Sequence, residues 1–130
     1  MIFRKCFKAL IRRDLTYFNK RLTRKGLYEF PENEFSAIGP DEEVLSIGSG
    51  GGVNRLLSKY ADKEALRVVS LDIDPSRYPD VVADLCEVGL GLDEGPFSTV
   101  VCAEVLEHCY DPFAAIANSH RNLKPGGSSF

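Results

Sequence analysis

At 130 residues, with 44% hydrophobic and 27% charged side chains, the chain has the size and composition of one globular domain and is too short for two of ordinary size. Its net charge of −3 hides a division: nine of the 16 basic residues lie within residues 1–28 beside one acid, Asp14, leaving seven basic and 18 acidic residues for the remainder. An acidic body argues against nucleic acid as the direct ligand and suits a cationic one.

In chain order, the first pattern is amphipathic. Phe3, Phe7, Leu10, Ile11, Leu15, Phe18 and Leu22 recur at steps of three and four, which predicts a helix with Arg4, Lys5, Lys8, Arg12, Arg13 and Lys20 on its other side. Such a helix, within residues 1–28, either rests on the domain with its basic face in water or meets a membrane surface. Residues 29–42, with Pro31, Gly39 and Pro40, read as a linker into a core of residues 43–130.

Strand and helix signals then alternate. Strands are expected over residues 44–47, 67–73, 80–83 and 97–102, whose near-continuous Val, Leu, Ile and Cys fit a sheet covered on both faces. Helices are expected over 53–63 and 112–123, the second opened by Asp111 as cap and Pro112 at its first position, with a shorter turn after Glu104. This alternation implies an α/β fold, a Rossmann-like open parallel sheet with helices on both faces. Four cysteines, Cys6, Cys86, Cys102 and Cys109, show no paired spacing, so reduced thiols and a cytoplasmic location are expected. No apolar run reaches membrane-spanning length, and no secretory leader pattern opens the chain.

The chemistry gathers at strand exits. The first strand runs into Gly48-Ser49-Gly50-Gly51-Gly52, a loop able to turn tightly and bring its amides against a ligand, ahead of a helix N-terminus. Taken alone such a cluster equally fits a structural turn. Asp72, 20 positions after Gly52, ends the second strand at the distance from which a carboxylate reaches ribose hydroxyls, and Asp84 follows the third. Together these exits fit an adenosine.

Here the chain resembles the class I S-adenosylmethionine-dependent methyltransferases, in their small-molecule branch. The matching pieces are VLSIGSGGG (44–52), VVSLDIDPS (68–76), PDVVADL (79–85), FSTVVCAEVLEHCYDP (97–112) and NLKPGG (122–127). The resemblance implies the N-terminal half of that fold, with S-adenosylmethionine as cofactor. It also implies that Ser46, Gly48, Ser49, Gly50 and Gly52 belong to its bed, that Asp72 holds the ribose hydroxyls with Ile73 also in the cofactor site, and that Asp84 and Leu85 meet the adenine. Cys102, Ala103 and Glu104 would line the sulfonium side. Ser46 stands where the family usually carries an acid that helps hold the ligand's ammonium, so an affinity below the family norm is expected.

Methyl transfer is an in-line displacement in which alignment and exclusion of water do most of the work. For an acceptor that must lose a proton, His108 is the candidate base, against the plain alternative of a packed or capping histidine, and Glu104 or Glu107 would orient it. Cys102, Glu104, His108 and Cys109 include metal-binding types, but strand geometry turns Cys102 away from the others and no metal is expected. The acceptor would be a small molecule or lipid-linked compound, with residues 1–28 docking peripherally at a membrane. The chain ends at LKPGGSSF, where the resemblance puts the turn into a fifth strand. Strand four would then be a bare edge open to a partner chain, with the C-terminal strands missing. The alternatives are a noncatalytic or partner-dependent cofactor-binding module and, more remotely, a nicotinamide-linked oxidoreductase.

Overall fold

The computed structural model describes residues 29–64, 66–92 and 95–129. The basic helix expected within residues 1–28 lies outside the described residues. The chain divides into two units between Glu34 and Phe35. Of the first, the described residues 29–34 are helical. This helix, α1, is described over residues 29–36, so the expected linker contains helix instead of open chain. The second unit begins before residue 43 as well: Phe35 and Ile38 are buried, and the Phe35 ring packs tilted against Tyr60 at 6.1 Å between centroids. Pro31, Gly39 and Pro40 read as breakers, and the packing of these apolar neighbours overrides that signal.

Five strands form one parallel sheet in the order β3-β2-β1-β4-β5: β1 (Glu43–Ile47), β2 (Arg67–Asp72), β3 (Val81–Val82), β4 (Phe97–Cys102) and β5 (Leu123–Ser129). The path from β1 to β2 moves one way across the sheet and that from β4 to β5 the other. Right-handed crossovers therefore put α2 (Gly52–Glu64) and α3 (Pro112–Arg121) on opposite faces. Side-chain alternation agrees. Ser46 of β1 bonds to Asn54 of α2, whereas Leu45, Ile47, Val69, Leu71 and Val100 cluster with Ala115 of α3. Each fully buried aliphatic in that cluster contributes about 1.5–3 kcal/mol by leaving water.

The expected boundaries shift where side chains replace backbone pairing. β3 is two residues long and starts at Val81, since Asp80 before it takes the Ser70 N–H and hydroxyl on its carboxylate at 2.8 and 2.7 Å in place of backbone pairing. Asp111 caps α3 as expected, accepting from the Ala114 N–H at 3.0 Å, but the helix stops at Arg121. Leu123 already pairs with Phe97.

The largest departure is at the chain's end. Lys124-Pro125-Gly126-Gly127 is strand, and β5 pairs in parallel with β4 through a register shift between Phe97 and Thr99. β4 is therefore not an edge, and the place assigned to a covering partner chain is taken by this chain's own β5. The shift accommodates a Pro-Gly segment between the paired residues Leu123 and Ser128, where a Cβ at Gly127 would stand 2.8 Å from the Ser98 carbonyl oxygen.

Candidate functional site

Strand order reverses between β1 and β4, and ligands of such sheets bind in the crevice beyond the carboxyl ends of the strands at that point. A cavity of about 550 Å³ occupies it. Its wall begins at Gly48, whose φ of +80° suits glycine and whose N–H donates to the Leu71 carbonyl at 2.8 Å. A side chain at this position would also run into the Val105 methyl. The loop's far side is held by Asn54, which donates its amide to the Gly48 carbonyl and accepts the Ser46 hydroxyl at 2.7 Å.

Asp72, at the end of β2, is buried yet polar on every side. Its Oδ2 accepts the N–H and the hydroxyl of Ser49, each at 2.8 Å, and its Oδ1 accepts the Asp74 N–H at 2.9 Å. Burial by itself would raise this carboxyl. The Ser49 N–H, the Asp74 N–H, the Ser49 hydroxyl and the nearby Arg77 guanidinium outweigh it and hold Asp72 below the ordinary carboxylate value. Asp84, beyond β3, accepts the Cys86 N–H at 2.9 Å, and Asn118 of α3 steadies the same loop by donating to the Leu85 and Glu87 carbonyls at 2.8 Å each.

Across the cavity, Glu104 adopts a left-handed backbone conformation, φ +58°, unusual for a side-chain-bearing residue. Its carboxylate leans over the glycine loop, so that a Cβ on Gly51 would stand 2.9 Å from Oε2. His108 follows on an exposed turn of 3₁₀ helix, Leu106–His108, its N–H on the Val105 carbonyl at 2.9 Å.

Of the residues singled out from sequence, Gly48, Gly50, Asp72, Ile73, Asp84, Leu85, Ala103, Glu104 and His108 line this one cavity. Ser46, Ser49, Gly52 and Cys102 do not. Ser46 faces α2, Ser49 serves Asp72, Gly52 opens α2, and Cys102 packs against the core, where burial above all, then Cys109 and Glu107, pushes its thiol up to about 11. Cys109 is likewise raised, by burial first and then by Cys86. Burial thus works against the thiolate form at both positions. Among the described residues no group of His, Cys, Asp and Glu is arranged to hold a metal ion.

Arg77 escaped the sequence reading. It lines the cavity from the turn after β2, 3.5 Å from Asp72 Oδ2 and 3.6 Å from Asp74 Oδ2. Nothing in Pro75-Ser76-Arg77 announces that reach. Asn54 was also missed, although a polar residue between Val53 and Leu57 on the buried side of α2 was a usable signal.

A family profile described as a methyltransferase domain matches residues 45–130. Ubiquinone biosynthesis O-methyltransferase of Pseudomonas aeruginosa (strain UCBPP-PA14) is 35% identical over 104 residues, covering 68% of this chain and 43% of the relative. The protein of the same description from Xanthomonas euvesicatoria pv. vesicatoria (strain 85-10) is 34% identical over 100 residues, covering 67% and 41%. The chain thus spans about two fifths of the length of these curated relatives. Among solved structures, that titled as the crystal structure of MccD protein superposes with a TM-score of 0.60 at 17% identity, covering 78% of this chain and 51% of that one, a likeness of fold alone.

Proposed function

Because the chain belongs to the class I S-adenosylmethionine-dependent methyltransferases, we propose that it carries out methyl transfer to an oxygen of a small-molecule or lipid-linked acceptor. Membership of this family removes the nicotinamide-linked alternative. S-adenosylmethionine is the cofactor such a domain uses. The observation that carries the reading is that Asp72, Asp84 and Glu104, from three different strand exits, line a single cavity of about 550 Å³ against the turn at Gly48.

The residues present fit that cofactor. The cavity has the volume of a small-molecule site. Five carboxylates line it, Asp72, Asp74, Asp84, Glu104 and Glu107, against one guanidinium, that of Arg77, which favours a ligand carrying sulfonium and ammonium charges. Asp72 would hold the ribose hydroxyls, Asp84 with the Leu85 N–H the adenine edge, and Ala103 and Glu104 the methionine end. Bound there, the cofactor supplies an electrophilic methyl group on sulfur.

The protein's own part is placement and water exclusion, which together supply several kcal/mol of such a barrier. His108, on the cavity wall, would accept the acceptor hydroxyl's proton as its oxygen attacks. An oxygen acceptor is favoured by the relatives' description as O-methyltransferases of ubiquinone biosynthesis. No helix among the described residues is long and apolar enough to cross a membrane. We assign peripheral contact with a lipid surface to residues 1–28, whose basic excess suits anionic headgroups. Liposome sedimentation of chains with and without that segment tests it, and equal pelleting would reject it.

Titration calorimetry with S-adenosylmethionine and its demethylated product tests the central reading, with Asp72→Ala abolishing the heat. No heat from the unaltered chain at millimolar ligand would reject the proposal. Binding without transfer to any hydroxyl-bearing small-molecule or lipid-linked acceptor would instead mark a cofactor-binding module.

A further inference from the structure

Most of the acceptor capacity of Asp72 is taken by its own neighbours. A carboxylate offers about four lone-pair positions. On Oδ2 two are filled by the N–H and hydroxyl of Ser49, and on Oδ1 one is filled by the Asp74 N–H. Oδ2, already carrying both Ser49 groups, is faced as well by Nη1 of Arg77 at 3.5 Å, and the position left open is on Oδ1. The same guanidinium lies against the glycine loop, where a side-chain carbon on Gly50 would collide with Nη1. Arg77 therefore stands between the two elements, Asp72 and the loop, that a nucleoside must touch together.

We propose that Arg77 sets the affinity for the adenosyl cofactor by standing between Asp72 and the glycine loop, so that binding requires its guanidinium to swing away. This rests on the cofactor site assigned above. Of the groups around Asp72, Arg77 is the most weakly held. The Ser49 and Asp74 N–H groups are fixed by the backbone. The Arg77 side chain is 50% exposed, at a distance longer than a hydrogen bond, and has a second carboxylate to keep, Asp74 Oδ2 at 3.6 Å. Moving it onto Asp74 alone gives up the weak pair with Asp72, whose carboxylate keeps its hydrogen bonds to Ser49 and Asp74. The turn that carries it is held independently, since Asp74 caps Pro75–Arg77 through Ser76 and the Tyr78 N–H closes on the Pro75 carbonyl.

The test is calorimetry with the demethylated cofactor product on the unaltered chain, on Arg77→Met and on Arg77→Lys, at low and at physiological ionic strength. Arg77→Met is expected to tighten binding roughly two- to fivefold, as displacing a half-exposed ion pair implies. The gap should narrow as salt screens the pair in the unaltered chain, and Arg77→Lys should fall between the two. Equal or weaker binding by Arg77→Met, with its circular dichroism unchanged, overturns the proposal and leaves the cofactor assignment standing. Failure of the unaltered chain to bind at all overturns the cofactor assignment itself, and this proposal with it.

Discussion

The Ser46 hydroxyl donates to Asn54 Oδ1 at 2.7 Å, inside the core between β1 and α2. It is therefore spent on a side chain that in turn holds the Gly48 carbonyl, and the loop at the mouth of the cavity depends on that pair. Both residues are buried, so removing one strands the other without water to replace it.

From this pair, Asn54→Ala is expected to cost about 1–3 kcal/mol, because it orphans both the Gly48 carbonyl and the Ser46 hydroxyl. Ser46→Ala should cost about 1 kcal/mol, leaving the Asn54 amide on Gly48. Urea unfolding of both variants reads the difference. Equal costs would show that the Asn54 bond to Gly48 contributes nothing.

Asp72 ties stability to pH. Its carboxyl is held below its unfolded value, so the unfolded chain binds the proton more readily in acid. The stabilisation is fully present above the unfolded carboxylate value, about 4, and is lost as pH falls through the lower folded value. Asp72→Asn should be less stable than the unaltered chain at pH 7 and lose less on acidification. Parallel acid-unfolding profiles for the two chains would reject this role.

Glu104 holds a conformation that glycine adopts without strain. Glu104→Gly should relieve about 1 kcal/mol relative to Glu104→Ala, which keeps the left-handed backbone and the Cβ. Thermal or urea midpoints of the two variants compare them directly. If Gly proves no better than Ala, the backbone at this point carries no strain.

The Cys102 thiol, raised to about 11 chiefly by burial, should resist alkylation. At pH 7.5 iodoacetamide should label it roughly tenfold or more slowly in the folded chain than in urea. The folded rate should still be climbing at pH 10, followed by peptide mass spectrometry. A rate already level by pH 9 would mean an ordinary, accessible thiol.

By itself the sequence determined the class of the fold, the order of its elements from β1 to α3, and the identity of the acids at the strand exits. These signals are local. Runs of β-branched and apolar residues mark buried parallel strands, and Asp111-Pro112 marks a helix start whatever lies around it. What only the tertiary structure decided were relationships across the chain. Side-chain alternation in β1 turns Ser46 toward α2 and Asn54, away from the cavity. Ser49, 23 positions before Asp72, closes on its carboxylate. Arg77 reaches across to Gly50. The register shift between Phe97 and Thr99 skips Lys124-Pro125-Gly126-Gly127, so that β5 rejoins β4 at Ser128 and Ser129. Composition and spacing describe neighbours along the chain, whereas these outcomes depend on which atoms compete for the same space and the same hydrogen bonds once the sheet has closed.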